Sequence, residues 1–206
     1  MSGRFIVFDG VEAAGKSTQI PIIADWVRAR HGEPLVTREP GGTPLAEQIR
    51  ALTLADHDEV MPLEAELLMM FAARSVHLNN RVGPALDRGQ WVLCDRFVDA
   101  SYAYQGAGQG GFRHQIAWLE EQIVGHRQPE CVFIFDLPVD TVIERVRQRR
   151  SMDRFDRSDI DFLQRVRDEY LARAATDTRR YCVINASQPV NQVSQTIVDH
   201  LEARFA

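Results

Sequence analysis

The stretch that most restricts what this chain can become is FIVFDGVEAAGKST, residues 5–18. A short apolar run runs into Gly10-x-x-x-x-Gly15-Lys16-Ser17, and a helical pattern follows. A buried strand must therefore turn through a glycine-rich loop straight into the first turn of a helix. The glycines let successive backbone N–H groups face inward, and the helix start adds the positive end of its dipole. Such a loop cradles a chain of phosphates. Gly10, Val11, Glu12, Ala13, Ala14, Gly15, Lys16, Ser17 and Thr18 form the candidate nucleotide-phosphate site. Lys16 is expected to reach the β and γ phosphates, and the Ser17 hydroxyl to ligate Mg2+. Lys16 is the only lysine among 24 basic residues. Where arginine is used almost everywhere, a surviving lysine marks a site that needs a compact ammonium in place of a planar guanidinium.

Beyond the loop, short β-rich runs at 5–8, 34–37, 91–94, 131–135 and 181–184 alternate with helical patterns near 16–30, 44–54, 62–80, 112–125, 139–149, 159–173 and 190–204. Thr43 before Pro44 is a good helix start, a side-chain cap followed by a preset φ. The alternation predicts an α/β fold, a doubly wound parallel sheet flanked by helices, in one domain spanning 1–206. Ligands of such sheets bind beyond the carboxyl ends of the strands. That rule directs attention to REPGGT, DRFVDASYAYQG and DLPVD, each of which follows a strand.

A net charge of −5 argues against a dedicated nucleic-acid binder. No apolar run approaches the length of a membrane span, and the first residues lack a signal-peptide pattern. Cys94, Cys131 and Cys182, an odd number inside apolar runs, read as buried thiols in a reducing compartment, and a cytoplasmic protein is expected. The six histidines show no metal-ligand spacing.

A second group of cations lies away from the loop. Arg38 ends the second strand, Arg50 lies on the next helix, and Asp95-Arg96 ends the third strand. Arginines fork onto phosphate bidentately, so their convergence predicts a second phosphate, on an acceptor. Arg74 continues the apolar stripe of helix 62–80 and needs a partner there. The same helix is apolar nearly all round from Leu67 to Ala73, which predicts burial on two sides, against the core and against another subunit. The run from 144 to 157 is dense in arginine, and its later part, RRSMDRFDRSD, lacks an apolar period, so 147–158 is expected to act as a lid that brings a guanidinium to a transferring phosphoryl group.

In their order, FDGVEAAGKST, TREPGGT, LLMMFAAR, CDRFVDASYAYQG and RVRQRRSMDRF resemble the thymidylate kinases, of the bacterial type. The likeness spans nearly the whole chain. It implies a five-stranded parallel sheet of the P-loop NTPase type, transfer of the ATP γ-phosphoryl group to dTMP, a requirement for Mg2+, and a homodimer packed through helices. It further implies that Arg50 and Arg96 grip the dTMP phosphate with Arg38 nearby, and that Arg74, Ser101 and Gln105 contact thymine. Tyr104 would crowd a ribose 2′-OH. Arg149 would be the lid arginine, Asp95 would order Mg2+ and its waters, and Lys16, Arg96, Arg149 and Asp95 would form the catalytic set. Asp9 joins the substrate side, and Glu12 would reach out of the loop to the acceptor's 3′-OH. Relatives often carry Phe where Met70 stands, leaving Met70 or Phe71 to meet the base. Arg150 stands where a lid glycine is often found.

Two alternatives remain open at this stage. One is a kinase for another nucleoside monophosphate or a deoxynucleoside. The other is a nucleotide-dependent switch or binding module, although the guanine signature N-K-x-D is excluded by the single lysine.

Overall fold

A computed structural model of the chain describes residues 3–148 and 160–205. The part of the expected lid from 149 to 158, with Arg149 and Arg150, lies outside the described residues.

Five strands form one parallel sheet in the order β2-β3-β1-β4-β5. They are β1 (Phe5–Gly10), β2 (Leu35–Arg38), β3 (Val92–Asp95), β4 (Cys131–Asp136) and β5 (Tyr181–Asn185). β1 and nearly all of β3 and β4 are buried, which is why they read as unbroken apolar runs. β2 and β5 are the edges and expose alternate residues, among them Val36 and Val183, so the two-sided cover expected from their apolarity is only partial. Register brings Phe8 opposite Asp95 and Gly10 opposite Phe135, so β3 stops two residues before β1 does and Arg96 follows beside the end of β1. The chain passes from β1 to one side of the sheet and from β3 to the other, and the crevice opens where those directions diverge.

Helices cover both faces: α1 (Lys16–His31), α2 (Pro44–Leu54), α3 (Leu63–His77), α4 (Gly83–Asp87), α5 (Val98–Ser101), α6 (Arg113–Ile123), α7 (Val139–Arg147), α8 (Ile160–Thr176) and α9 (Val190–Phe205). Thr43 caps α2 as its sequence suggests, its hydroxyl accepting from the Ala46 N–H at 3.3 Å. The single helix expected over 62–80 runs further. It passes α3, widens into a π-helical turn at Leu78–Val82 and continues as α4. Pro84 has no N–H to give the preceding turn, and the widened turn is a common way to absorb that loss.

The glycine-rich segment after Ser101 is helical as well. α5 leads into a second π-helical stretch, Tyr102–Gly108, with most of its residues buried. Arg165 of α8 pins its end, donating from Nε and Nη2 to the Gly108 carbonyl at 3.2 and 2.9 Å. Helix periodicity hid this element because Tyr102, Ala103 and Tyr104 enter the core consecutively, without a helical period. Phe8, Phe133, Phe135, Phe97 and Tyr170 fill the space between sheet and helices. A fully buried aromatic of this kind is worth about 2–3 kcal/mol.

Candidate active site

β1 ends at Gly10, whose φ of 125° suits only glycine. A Cβ there would lie 2.4 Å from the Phe135 carbonyl oxygen, so β4 itself excludes any side chain. Gly15, at φ 93°, closes the loop as the residue before α1. Between them Lys16 folds back over its own loop, its ammonium donating to the carbonyls of Gly10 at 3.1 Å and Val11 at 2.7 Å. Burial first, and then the nearby Arg96 cation, pull the Lys16 pKa down to about 8. Ser17 and Thr18 lie exposed at the start of the helix.

Arg96 follows β3 directly in the left-handed region, φ 66°, an uncommon state for a side chain of its size and one that concentrates at functional sites. One end of its guanidinium donates to the Gly10 carbonyl at 3.0 Å and to the Tyr170 hydroxyl at 3.1 Å. The other donates to the Tyr104 hydroxyl at 3.2 Å. Tyr104 in turn donates to Glu12 Oε1 at 3.3 Å. Asp9 is fully buried below them. Its Oδ1 accepts from the Gly10 N–H and the Tyr170 hydroxyl, and its Oδ2 from the Phe97 N–H. Burial is the largest influence on this carboxyl and raises its pKa to about 6 despite the Arg96 charge 3.7 Å away.

A cleft of about 250 Å3 opens above these groups. On one side it is walled by Glu12, Ala13, Ala14, Gly15, Lys16 and Ser17 of the loop, and on the other by Arg50, Asp95, Arg96 and Tyr104. Its floor reaches a recess formed by Met70, Arg74, Ser101 and Gln105. Arg74 is buried and spends three of its N–H groups locally: Nε on Glu39 at 2.7 Å, Nη1 on the Ser101 hydroxyl at 3.2 Å and Nη2 on the Phe97 carbonyl at 3.0 Å. Five N–H groups are available to a guanidinium, which leaves two for an occupant. Glu39 also holds His77, whose other ring nitrogen lies 2.7 Å from the Thr37 hydroxyl. Gln105 donates to Glu66 at 2.7 Å. Arg50 donates to the Pro40 carbonyl at 2.9 Å.

Three expected site residues stand elsewhere. Arg38 pairs with Glu47 at 2.9 Å on the outer side of β2 and lines a separate shallow groove. Phe71 is fully covered and lies beneath Arg74, its ring centre 4.4 Å from the guanidinium carbon, so of the two neighbours it is Met70 that faces the cleft. Asp9 acts from below and contributes no surface to the cleft. Arg149 lies outside the described residues, but Arg145 of α7 reaches the loop apex, donating to the Ala13 carbonyl at 3.0 Å.

Sequence reasoning assigned no role to Glu39, Glu66, His77 or Tyr170. Two of them, Glu66 and His77, had a signal. Glu66, Met70, Arg74 and His77 fall on one face of α3, and polar groups inside a buried stripe require partners. Tyr170 had none, since an aromatic in an amphipathic helix reads simply as core.

The residues present suit a hydrated divalent cation. Among the described residues no donor reaches the buried Asp95 Oδ1, which sits in the same cleft as the Ser17 hydroxyl. A carboxylate and a hydroxyl are what Mg2+ takes from protein when phosphates and waters supply the rest.

A phosphate cradle of backbone and ammonium, faced across one cleft by guanidinium forks, defines a P-loop phosphotransferase. Within that class the chain belongs to the thymidylate kinase family. The family profile described as Thymidylate kinase matches residues 8–197. A thymidylate kinase of Teredinibacter turnerae is 51% identical over 203 residues, covering 98% of this chain and 99% of the relative. One from Pseudomonas fluorescens is 49% identical over 197 residues, covering 96% and 94%. The crystal structure of thymidylate kinase from Ehrlichia chaffeensis superposes with a TM-score of 0.80 at 30% identity, covering 98% of this chain and 99% of that one.

Proposed function

We infer that this chain transfers the γ-phosphoryl group of ATP to dTMP, giving dTDP and ADP, a step toward dTTP. The observation that carries this reading is the convergence of Lys16 and Arg96 on one cleft whose floor ends in the Arg74, Ser101 and Gln105 recess. One cradle suits the donor's phosphates, the other an acceptor phosphate, and the recess a flat polar ring.

In this reading Lys16 and the loop amides hold the β and γ phosphates. Arg96 and Arg50 hold the acceptor phosphate in line with them, and Glu12 accepts the sugar 3′-OH. Met70 packs on the base, and Tyr104 closes the sugar side. Ser17, and Asp95 through water, would hold Mg2+, which supplies charge neutralisation between the phosphates when bound. An oxygen of the ionised acceptor phosphate forms the new bond to the γ phosphorus while the bond to the ADP oxygen breaks. No strong general base is needed, and rate comes from positioning and charge. Arg149, within the proposed 147–158 lid, would add a cation from above.

We further propose a homodimer, supported by the exposed Leu68 and Ala72 on α3 and Trp118 on α6. A cytoplasmic setting is supported by three cysteines without a disulfide. Among the described residues no helix is long and apolar enough to cross a membrane. An ADP-release assay across a panel of nucleoside monophosphates tests the substrate. dTMP should give the highest kcat/KM, and no stimulation by dTMP above the others would overturn the reading.

A further inference from the structure

Glu66 is a buried acid in the apolar face of α3, 1% exposed, with no place in the phosphate chemistry. Its Oε1 accepts from Gln105 Nε2 at 2.7 Å. Gln109 Nε2 donates to both of its oxygens, at 3.2 and 3.4 Å. Glu66 thus grips the π-helical stretch where its polar side chains line the recess.

A carboxylate offers only acceptors, whereas an amide offers both a donor and an acceptor end. Gln105 must therefore turn its NH2 toward Glu66, which leaves its carbonyl oxygen for whatever occupies the recess. Arg74 presents the opposite character, since a guanidinium can only donate. Glu39, Ser101 and the Phe97 carbonyl fix its plane. The recess then offers one donor-only group and one acceptor. The matching ring edge carries a carbonyl beside a ring N–H, as the 4-oxo edge of a pyrimidine-dione does. An amino-pyrimidine edge, NH2 beside an unprotonated ring nitrogen, meets both groups with the wrong polarity.

We propose that Glu66 is a specificity-determining positioning residue that fixes the Gln105 amide and so selects an oxo-pyrimidine over an amino-pyrimidine acceptor. The proposal rests on the reading that a pyrimidine monophosphate fills the recess, and it adds the group that sets the polarity of one contact. Sites built around fixed polar partners reject mismatched analogues strongly, because the mismatch strands a buried group.

The test compares dTMP with 5-methyl-dCMP, which differs only at the edge in question, in wild type and Glu66→Gln. The glutamine keeps the shape of the acid but can donate or accept, so Gln105 is free to turn over. Relative preference for dTMP, as a ratio of kcat/KM values, should fall at least tenfold, with 5-methyl-dCMP gaining. Glu66→Asp, acceptor-only like the native residue, should keep the wild-type ratio. If kcat/KM falls equally for both substrates in Glu66→Gln, Glu66 merely packs the helix and the proposal is overturned. If wild type gains nothing from dTMP over other monophosphates, the substrate reading falls and takes this proposal with it. Should Glu66→Gln fail to fold, Glu66→Met fills the same space in the apolar face of α3 and removes the acceptor that orients Gln105. The ratio of kcat/KM for dTMP over 5-methyl-dCMP should then fall at least tenfold, and an unchanged ratio would overturn the proposal.

Discussion

The Lys16 ammonium and the Arg96 guanidinium meet at a single atom, the Gly10 carbonyl oxygen, 3.1 Å from one and 3.0 Å from the other. One cation follows β1 through its loop and the other is the residue after β3, so the pairing of these neighbouring strands brings the two cradles together. The Gly10 and Val11 carbonyls accept from donors of the kind that suit phosphate oxygens. Burial and mutual repulsion keep the lysine pKa near 8, and so the pair is poised to accept negative charge.

Lys16→Met should lower turnover by about a thousandfold or more, since charge stabilisation is the main resource of phosphoryl transfer. The fold should persist. The Gly10 carbonyl keeps Arg96 as donor, and a cation disfavoured by burial has been removed. Steady-state turnover and a melting curve check both halves, and wild-type-like turnover would remove Lys16 from the mechanism.

Tyr170 ties α8 to both cradles, donating to Asp9 at 2.6 Å and accepting from Arg96 at 3.1 Å. Tyr170→Phe keeps the ring and deletes both bonds. A loss of roughly 1–3 kcal/mol in stability is expected from the buried partners left behind. Because Arg96 would lose part of its orientation, kcat should fall about tenfold while the KM for ATP barely moves. A shift in the ATP KM with kcat unchanged would contradict the assignment.

The Glu39–Arg74 pair is buried, with Glu39 also bonded to His77. Glu39→Ala strands a guanidinium in the interior and should cost about 3–5 kcal/mol. Glu39→Gln keeps an acceptor for Arg74 and should cost less. Urea midpoints of the two variants measure the difference, and equal midpoints would show that the acceptor kept by glutamine contributes nothing and that loss of the charge accounts for the whole cost.

Much of this arrangement is legible in the sequence, for identifiable reasons. The strands are legible because buried parallel strands leave continuous apolar runs, and the phosphate loop because its backbone angles demand glycine at fixed spacing. Arg50, Arg74, Arg96 and Gln105 share one cleft as expected. Arg38 does not, because alternation along β2 turns it outward to Glu47. Phe71 does not, because one step around α3 moves a side chain from the cleft to the core. The π-helical stretch and Tyr170 stayed hidden, since both depend on contacts between elements far apart in the chain.

Asp9 gives a pH signature in stability. Burial raises its folded pKa to about 6 from an ordinary value of 3.8. Between pH 4 and 6 the folded protein therefore holds a proton that the unfolded chain has lost, and unfolding releases it. Stability from this group is greatest below pH 4, falls as pH rises through that window, and is flat above about 6, where both states are ionised. At 1.36 kcal/mol per pKa unit the span is about 3 kcal/mol. Asp9→Asn cannot titrate. Its amide also meets donors from the Gly10 and Phe97 backbone and from Tyr170, which adds a destabilising cost that does not itself vary with pH. The informative quantity is the slope. Urea midpoints from pH 4 to 7 should give a wild-type minus Asp9→Asn difference that shrinks toward pH 6 and then levels. A difference that grows with pH would mean that the Arg96 ion pair outweighs burial at this carboxylate.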